Sequence, residues 1–157
     1  MNINLILIGK TTEDHIKEGF SIYQERLTHY NNFSFKVIPE IKFNKSQTAQ
    51  YIKNTEGDAI LKNIQNTDFV ILLDENGLQK SSREFAGIIS NKMVSGVKNV
   101  VFIIGGAYGF SEDVYKRADQ KLSLSKMTFP HQLVRLIFIE QLYRAFTIIK
   151  NEKYHHD

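Results

Sequence analysis

Val100-Val101-Phe102-Ile103-Ile104-Gly105-Gly106-Ala107-Tyr108-Gly109-Phe110 is the stretch that decides the fold. The apolar, largely β-branched run reads as a strand over Asn99–Ile104, buried on both faces and entering a tight turn on two glycines. Ser111-Glu112-Asp113 follows, a hydroxyl and two acids suited to opening a short helix that runs to about Ala118. One strand, one glycine turn and one helix in that order imply a parallel sheet if the pattern repeats.

It repeats in both directions. Upstream, Ile3–Ile8 reads as a buried strand ended by Gly9, and Thr11 or Thr12 is placed to cap the next helix. In that helix Ile16, Phe20, Tyr23, Leu27 and Tyr30 form one apolar stripe, which Asn31-Asn32 ends. Phe33–Ile38 alternates as a strand stopped by Pro39. A weaker amphipathic helix spans about Ser46 to Ile64, with Gly57 as a soft point inside it. Phe69–Leu73 is a further apolar strand, Asp74-Glu75-Asn76-Gly77 a turn, and Ser81-Ser82-Arg83-Glu84 a helix start leading to about Met93. Downstream, Leu122–Leu124 fits a last brief strand, and a helix from about His131 to Lys150 closes the pattern. The expected fold is α/β, a mainly parallel sheet with helices on both faces, built as a single domain over residues 1–157.

Composition narrows the chemistry. Twenty Lys and Arg against seventeen Asp and Glu leave a net charge of +3, too little to hold nucleic acid by charge alone. The absence of Cys removes disulfides, thiolate metal sites and Cys nucleophiles together. The opening Met1–Ile8 lacks a basic leader pattern and is broken by Gly9-Lys10, and Arg135, Glu140 and Arg144 interrupt the apolar run Leu133–Ile149. A cytoplasmic protein without a membrane segment is the expectation.

In parallel sheets ligands bind beyond the carboxyl ends of the strands, which directs attention to Asp74–Gly77, Gly105–Phe110 and Leu124–Pro130. The glycines of the second loop let backbone approach a ligand closely. Neither Gly-x-Gly-x-x-Gly nor a Walker loop occurs, so NAD and ATP phosphates are not indicated. The third loop, Leu124-Ser125-Lys126-Met127-Thr128-Phe129-Pro130-His131, is rich in hydroxyls; Pro130 with His131 also suits plain helix-start geometry. In the last helix Arg144 stands four residues after Glu140, where an intrahelical ion pair is the simplest outcome. Apolar side chains cover most of that helix's circumference, so it is expected to pack on more than one side, a second subunit included. The tail from Asn151 reads by default as frayed, and His155-His156 without a His-Glu-x-x-His pattern is no metal site.

Together, Phe102–Gly109, the block Leu122–His131, Glu140-Gln141-Leu142-Tyr143-Arg144-Ala145 and Tyr154-His155 resemble the SPOUT methyltransferases, in particular those that act on large-subunit ribosomal RNA. The likeness includes Ile8-Gly9-Lys10 and the helix around Tyr23, Arg26 and Leu27. It implies a C-terminal trefoil knot, a homodimer, and S-adenosylmethionine held by Leu73, Gly105 and the segment Leu124, Ser125, Lys126, Met127, Thr128 and Phe129. It further implies methylation of N3 of a pseudouridine in 23S ribosomal RNA on the assembled ribosome. His131 and His155 are then the candidate bases for the N3 proton, Arg144 the group facing the developing anion, and Arg135 and Tyr154 residues that order the site. On that reading the tail closes over the target nucleotide, in the partner's site. Relatives often carry Arg after Tyr-His where this chain has His156, which weakens a phosphate contact. Two other readings compete: a non-catalytic ribosome- or RNA-binding factor that stacks bases on Tyr108, Phe110 or Tyr154, and a small-molecule enzyme on a Rossmann-like scaffold.

Overall fold

The computed structural model describes residues 1–41 and 47–155. In chain order the elements are β1 (Asn2–Ile8), α1 (Asp14–Leu27), β2 (Asn32–Ile38), α2 (Ala49–Leu61), β3 (Phe69–Gln79), α3 (Ser82–Val94), β4 (Asn99–Ile104), α4 (Glu112–Arg117), β5 (Gln120–Ser123) and α5 (His131–Ile149). The strands form one sheet in the order β2-β1-β4-β3-β5, and every neighbouring pair is parallel.

The two-residue period of the strands sorts their side chains between two cores. Ile3, Leu5 and Leu7 of β1 join Phe102 of β4 beneath α1, α3 and α5, where Phe102 meets Phe138 with ring centroids 4.8 Å apart. Ile6 and Ile8 face the other way with Ile103, beneath α2 and α4, among Ile60, Val114 and Phe110. Phe102 and Phe138 are fully buried, and truncating either to Ala removes about 3–5 kcal/mol of stability.

Local signals explain most of the boundaries. Ser81 and Glu84 make a reciprocal capping box at α3, Ser111 caps α4, and Thr48 caps α2 through the Tyr51 N–H. The expected start of α2 at Ser46 lies outside the described residues. Gly57 is a point of close packing rather than a soft spot, since a Cβ there would overlap the Ser111 side chain. Neither threonine caps α1. Glu13 takes the N-cap position without a side-chain bond, because Thr11 Oγ1 accepts from Arg135 and the Thr12 N–H donates to Gln132.

The largest departure lies at Asp74-Glu75-Asn76-Gly77, expected as a turn and found inside β3. β5 pairs with Leu73 and again with Leu78, Leu122 serving as partner to both. The strand bulges between those positions and continues along the same neighbour. β5 ends at Ser123, one residue before Leu124, which belongs to the loop leading into α5. The apolar breadth of α5 is taken up by the sheet and by α1 and α3 on its flanks, with Leu133 left as its exposed large apolar side chain.

Candidate active site

Three strand ends make one cavity of about 440 Å³, the size of a small-molecule pocket. Its walls are the end of β3 from Leu73 to Asn76, the turn from Gly105 to Phe110, and the segment after β5 with His131 and Val134 of α5. β3 leads to a helix on one face of the sheet and β4 to a helix on the other, so the crevice lies at a switch point.

Each wall is held by named contacts. Asp74 accepts from the Asn76 N–H at 2.8 Å and from the Tyr115 hydroxyl at 2.5 Å, tying the end of β3 to α4. Burial, and then the bond to Asp74, push the Tyr115 hydroxyl up to about 12, so it is a fixed donor at neutral pH. The turn closes with the Gly109 N–H donating to the Gly106 carbonyl, and Gly109 has a positive φ of 78° that favours glycine. In the third wall Ser125 Oγ accepts from the Met127 N–H, and Ser123 Oγ donates to the Ser125 carbonyl.

The donor set suits a bound sulfonium cofactor. Leu73, Ile104, Leu124, Phe129 and Val134 give an apolar side for a heterocycle, while Asp74 and Glu75 place acidic groups on the same wall for a cation. Side chains at positions 105 and 106 would collide with Phe110 and Glu56, so the turn presents backbone to the cavity. A larger cavity of about 880 Å³ adjoins this one through Asp74, Asn76, Tyr115 and Leu122; of the three expected ligand loops only Asp74–Gly77 reaches it, and none of the expected cofactor or catalytic residues does.

The expected site residues fall into three places. Leu73, Gly105, Leu124, Ser125, Met127, Thr128, Phe129 and His131 line the cavity, whereas the Lys126 side chain is exposed and lies outside it. Arg135, one turn along α5, is buried and donates to the carbonyls of Ile8 and Gly9 and to Thr11 Oγ1. Those bonds hold the end of β1, and burial lowers the Arg135 pKa.

Arg144, Tyr154 and His155 gather at the far end of α5. At a rise of about 1.5 Å per residue, His131 and Arg144 stand about 20 Å apart along the helix. Glu140 is the hub of this second group. It binds Arg144 Nε at 3.0 Å and Nη2 at 2.5 Å and accepts from the Tyr154 hydroxyl at 3.1 Å. The Arg144 guanidinium lies 4.7 Å from the centroid of the Tyr154 ring, and its Nη1 is 3.4 Å from His155 Nδ1. The ion pair with Glu140 raises the Arg144 pKa, while burial, with help from Tyr23 and Glu140, raises that of Tyr154.

The tail is therefore folded back rather than frayed. Asn151 takes the left-handed conformation at φ 54° that ends α5, the Tyr30 hydroxyl donates to Glu152, and Tyr154 shares a bond with Tyr23. His156 lies outside the described residues. Asp74 stands in a loop that the strand-end rule marks, whereas sequence reasoning gives Glu140, Tyr23 and Tyr115 no site role. Of these three only Glu140 carries a signal, its spacing from Arg144.

A parallel α/β chain with a backbone-lined, partly apolar cavity at its strand ends is built to bind a small cofactor. The comparisons narrow that class. A family described as predicted SPOUT methyltransferase matches residues 1–155. The ribosomal RNA large subunit methyltransferase H of Christiangramia forsetii is 56% identical over 156 residues, 99% of each chain. Proteins of the same name from Parabacteroides distasonis and Flavobacterium johnsoniae are 51% and 53% identical, each over at least 99% of both chains. The chain belongs to the SPOUT methyltransferases, enzymes that take their methyl group from S-adenosylmethionine. Among the described residues no helix is long and apolar enough to cross a membrane, and none of the His, Asp and Glu groups could hold a metal ion.

Proposed function

We propose that this chain methylates N3 of a pseudouridine in 23S ribosomal RNA on the assembled ribosome, in the cytoplasm, working as a homodimer of single-domain chains. The observation that carries the reading is likeness over the whole length to relatives named for large-subunit ribosomal RNA methylation, joined to a cavity suited to their cofactor. S-adenosylmethionine supplies a methyl group that is already electrophilic. The protein is left to align the nucleobase, shield the site and remove a weakly acidic N3 proton.

His131 at the cavity wall and His155 in the tail are the candidate bases, and Arg144 is the cation for the developing anion. Leu73, Gly105 and the segment Leu124–Phe129 hold the cofactor, with Lys126 turned toward solvent and available to RNA. Arg135 acts at a distance by holding the end of β1.

What supports a dimer is the length of α5. One chain keeps its cofactor cavity and its Arg144–Tyr154–His155 group about 20 Å apart, so a second copy running the opposite way would bring the two together. Pairing also doubles a modest positive charge without a separate RNA-binding module. The family's trefoil knot belongs to the same reading and rests on membership of the family.

The test is methyl transfer from labelled S-adenosylmethionine to intact ribosomes, isolated large subunits and naked ribosomal RNA, with the product nucleoside identified by mass. Labelled 3-methylpseudouridine from intact ribosomes is the expected result. Cofactor binding without transfer to any of the three substrates would favour the non-catalytic binding factor.

A further inference from the structure

Glu56 is a buried acid with no part in the chemistry described so far. It is 4% exposed, on the face of α2 turned toward the sheet, and its Oε2 has no hydrogen-bond partner. Leaving a polar atom unsatisfied in the interior costs about 1–3 kcal/mol, so its position calls for an explanation.

That position is directly behind the cofactor turn. A Cβ built on Gly106 would stand 2.6 Å from Glu56 Oε2, 3.1 Å from Oε1 and 3.2 Å from the carboxyl carbon, so the carboxyl meets Gly106 edge-on, oxygens first. Gly105, one residue earlier, rests in the same way on the Phe110 ring, 3.0 Å from a built Cβ. Ala107 and Tyr108 are a thin wall, with the cofactor cavity on one side and a third cavity of about 590 Å³, lined by Glu56 itself, on the other. The turn is thus fixed at Gly105 by Phe110, at Gly106 by Glu56 and at Gly109 by its bond to the Gly106 carbonyl.

We propose that Glu56 is a positioning residue for the cofactor: its carboxyl sets the height of Gly106 and so the shape of the cavity wall that meets S-adenosylmethionine. The inference rests on the reading of that cavity as the cofactor site. Glu56 acts through contact and shape rather than charge. Burial, reinforced by the nearby charge of Glu40, raises its pKa toward the neutral form. Gln has the same shape and can replace it; Ala leaves a void beneath Gly106 and frees the turn.

The experiment is calorimetric titration of the full chain with S-adenosylmethionine, together with steady-state methyl transfer at varied cofactor concentration. E56Q is expected to bind the cofactor within about twofold of the unsubstituted chain, and E56A to bind at least about tenfold more weakly. The kcat of E56A at saturating cofactor is expected to stay within about threefold, the loss falling on KM, because the reacting groups are untouched. A general loss of folding would lower the active fraction and kcat instead. Should E56A fail to fold, E56D draws the carboxyl back by one methylene and carries the same test, with weakened binding expected. Unchanged affinity in the folded Ala or Asp variant overturns the inference. A parent chain that binds no S-adenosylmethionine overturns the reading of the cavity instead.

Discussion

Gly77 lies against the backbone of Leu122 so closely that a Cβ on it would stand 2.7 Å from both the Leu122 nitrogen and its carbonyl carbon. No side chain can absorb that overlap, because both atoms belong to a strand paired on either side of the bulge. G77A is expected to lose about 2–3 kcal/mol of stability, the cost of forcing apart packed backbone. G87A is the control: it lies within α3 with nothing near its missing Cβ, and should gain about 0.5–1 kcal/mol from helix propensity. Urea denaturation of the two variants beside the parent measures the contrast, and equal midpoints for all three would refute the close approach.

Arg135 gives a second stability test that also separates structure from catalysis. Its guanidinium satisfies the Ile8 and Gly9 carbonyls at 2.7 and 3.0 Å and Thr11 Oγ1 at 3.0 Å. R135A deprives buried acceptors of donors and should cost about 3 kcal/mol or more in chemical denaturation. R135K should restore only part of that, since an ammonium cannot span acceptors placed for a planar fork. If R135A unfolds at the parent midpoint, Arg135 does not hold the end of β1.

The pH dependence of stability reports on Glu56 independently of cofactor. Burial first, and then the charge of Glu40, raise its carboxyl above its ordinary value of 4.5. A group with a higher pKa in the folded state binds more protons there, so its contribution to stability is full below 4.5 and declines as pH rises above it. E56Q cannot ionise and escapes the decline. Denaturation of both proteins from about pH 4 to about pH 8 should show E56Q gaining on the parent as pH rises. A difference that stays flat across that range would mean that the Glu56 carboxyl is not perturbed.

β1, β2 and β4 were legible in the sequence because each is short, largely apolar and ended by Gly or Pro, a pattern that local sterics enforce, whereas β5, Gln-Lys-Leu-Ser, carries little of it. β4 matches its expected limits, Asn99 to Ile104. The continuation of β3 through Asp74–Gly77 was not legible. Those residues have turn chemistry, and only the passage of Leu122 beside them makes them a strand. The first-helix cap was misplaced for the same reason, Thr11 and Thr12 being claimed by Arg135 and Gln132 of α5, more than a hundred residues away. At the site, the cavity could be found from strand ends because a general rule places ligands there. The division of the expected catalytic residues between two ends of α5 could not, because adjacency in a motif says nothing about reach. Glu56 carried no signal, since a lone Glu in an amphipathic helix ordinarily faces water.

That division makes the arrangement of the dimer testable by mixing. His131 lines the cofactor cavity, and Arg144 stands about 20 Å along the same helix. If each site combines the cavity of one chain with the Arg144 of its partner, H131A and R144A homodimers should each be slowed by about a hundredfold or more. In a heterodimer of the two, one site inherits both substitutions and the other inherits neither. Refolding or co-expressing the variants in equal amounts should then restore about a quarter of the parent rate per chain, from random pairing. Sites built within single chains leave every site in the mixture with one substitution, and no activity returns. A mixture that stays at the rate of its components, with heterodimers verified by mass, would place Arg144 and the cavity it serves in the same chain.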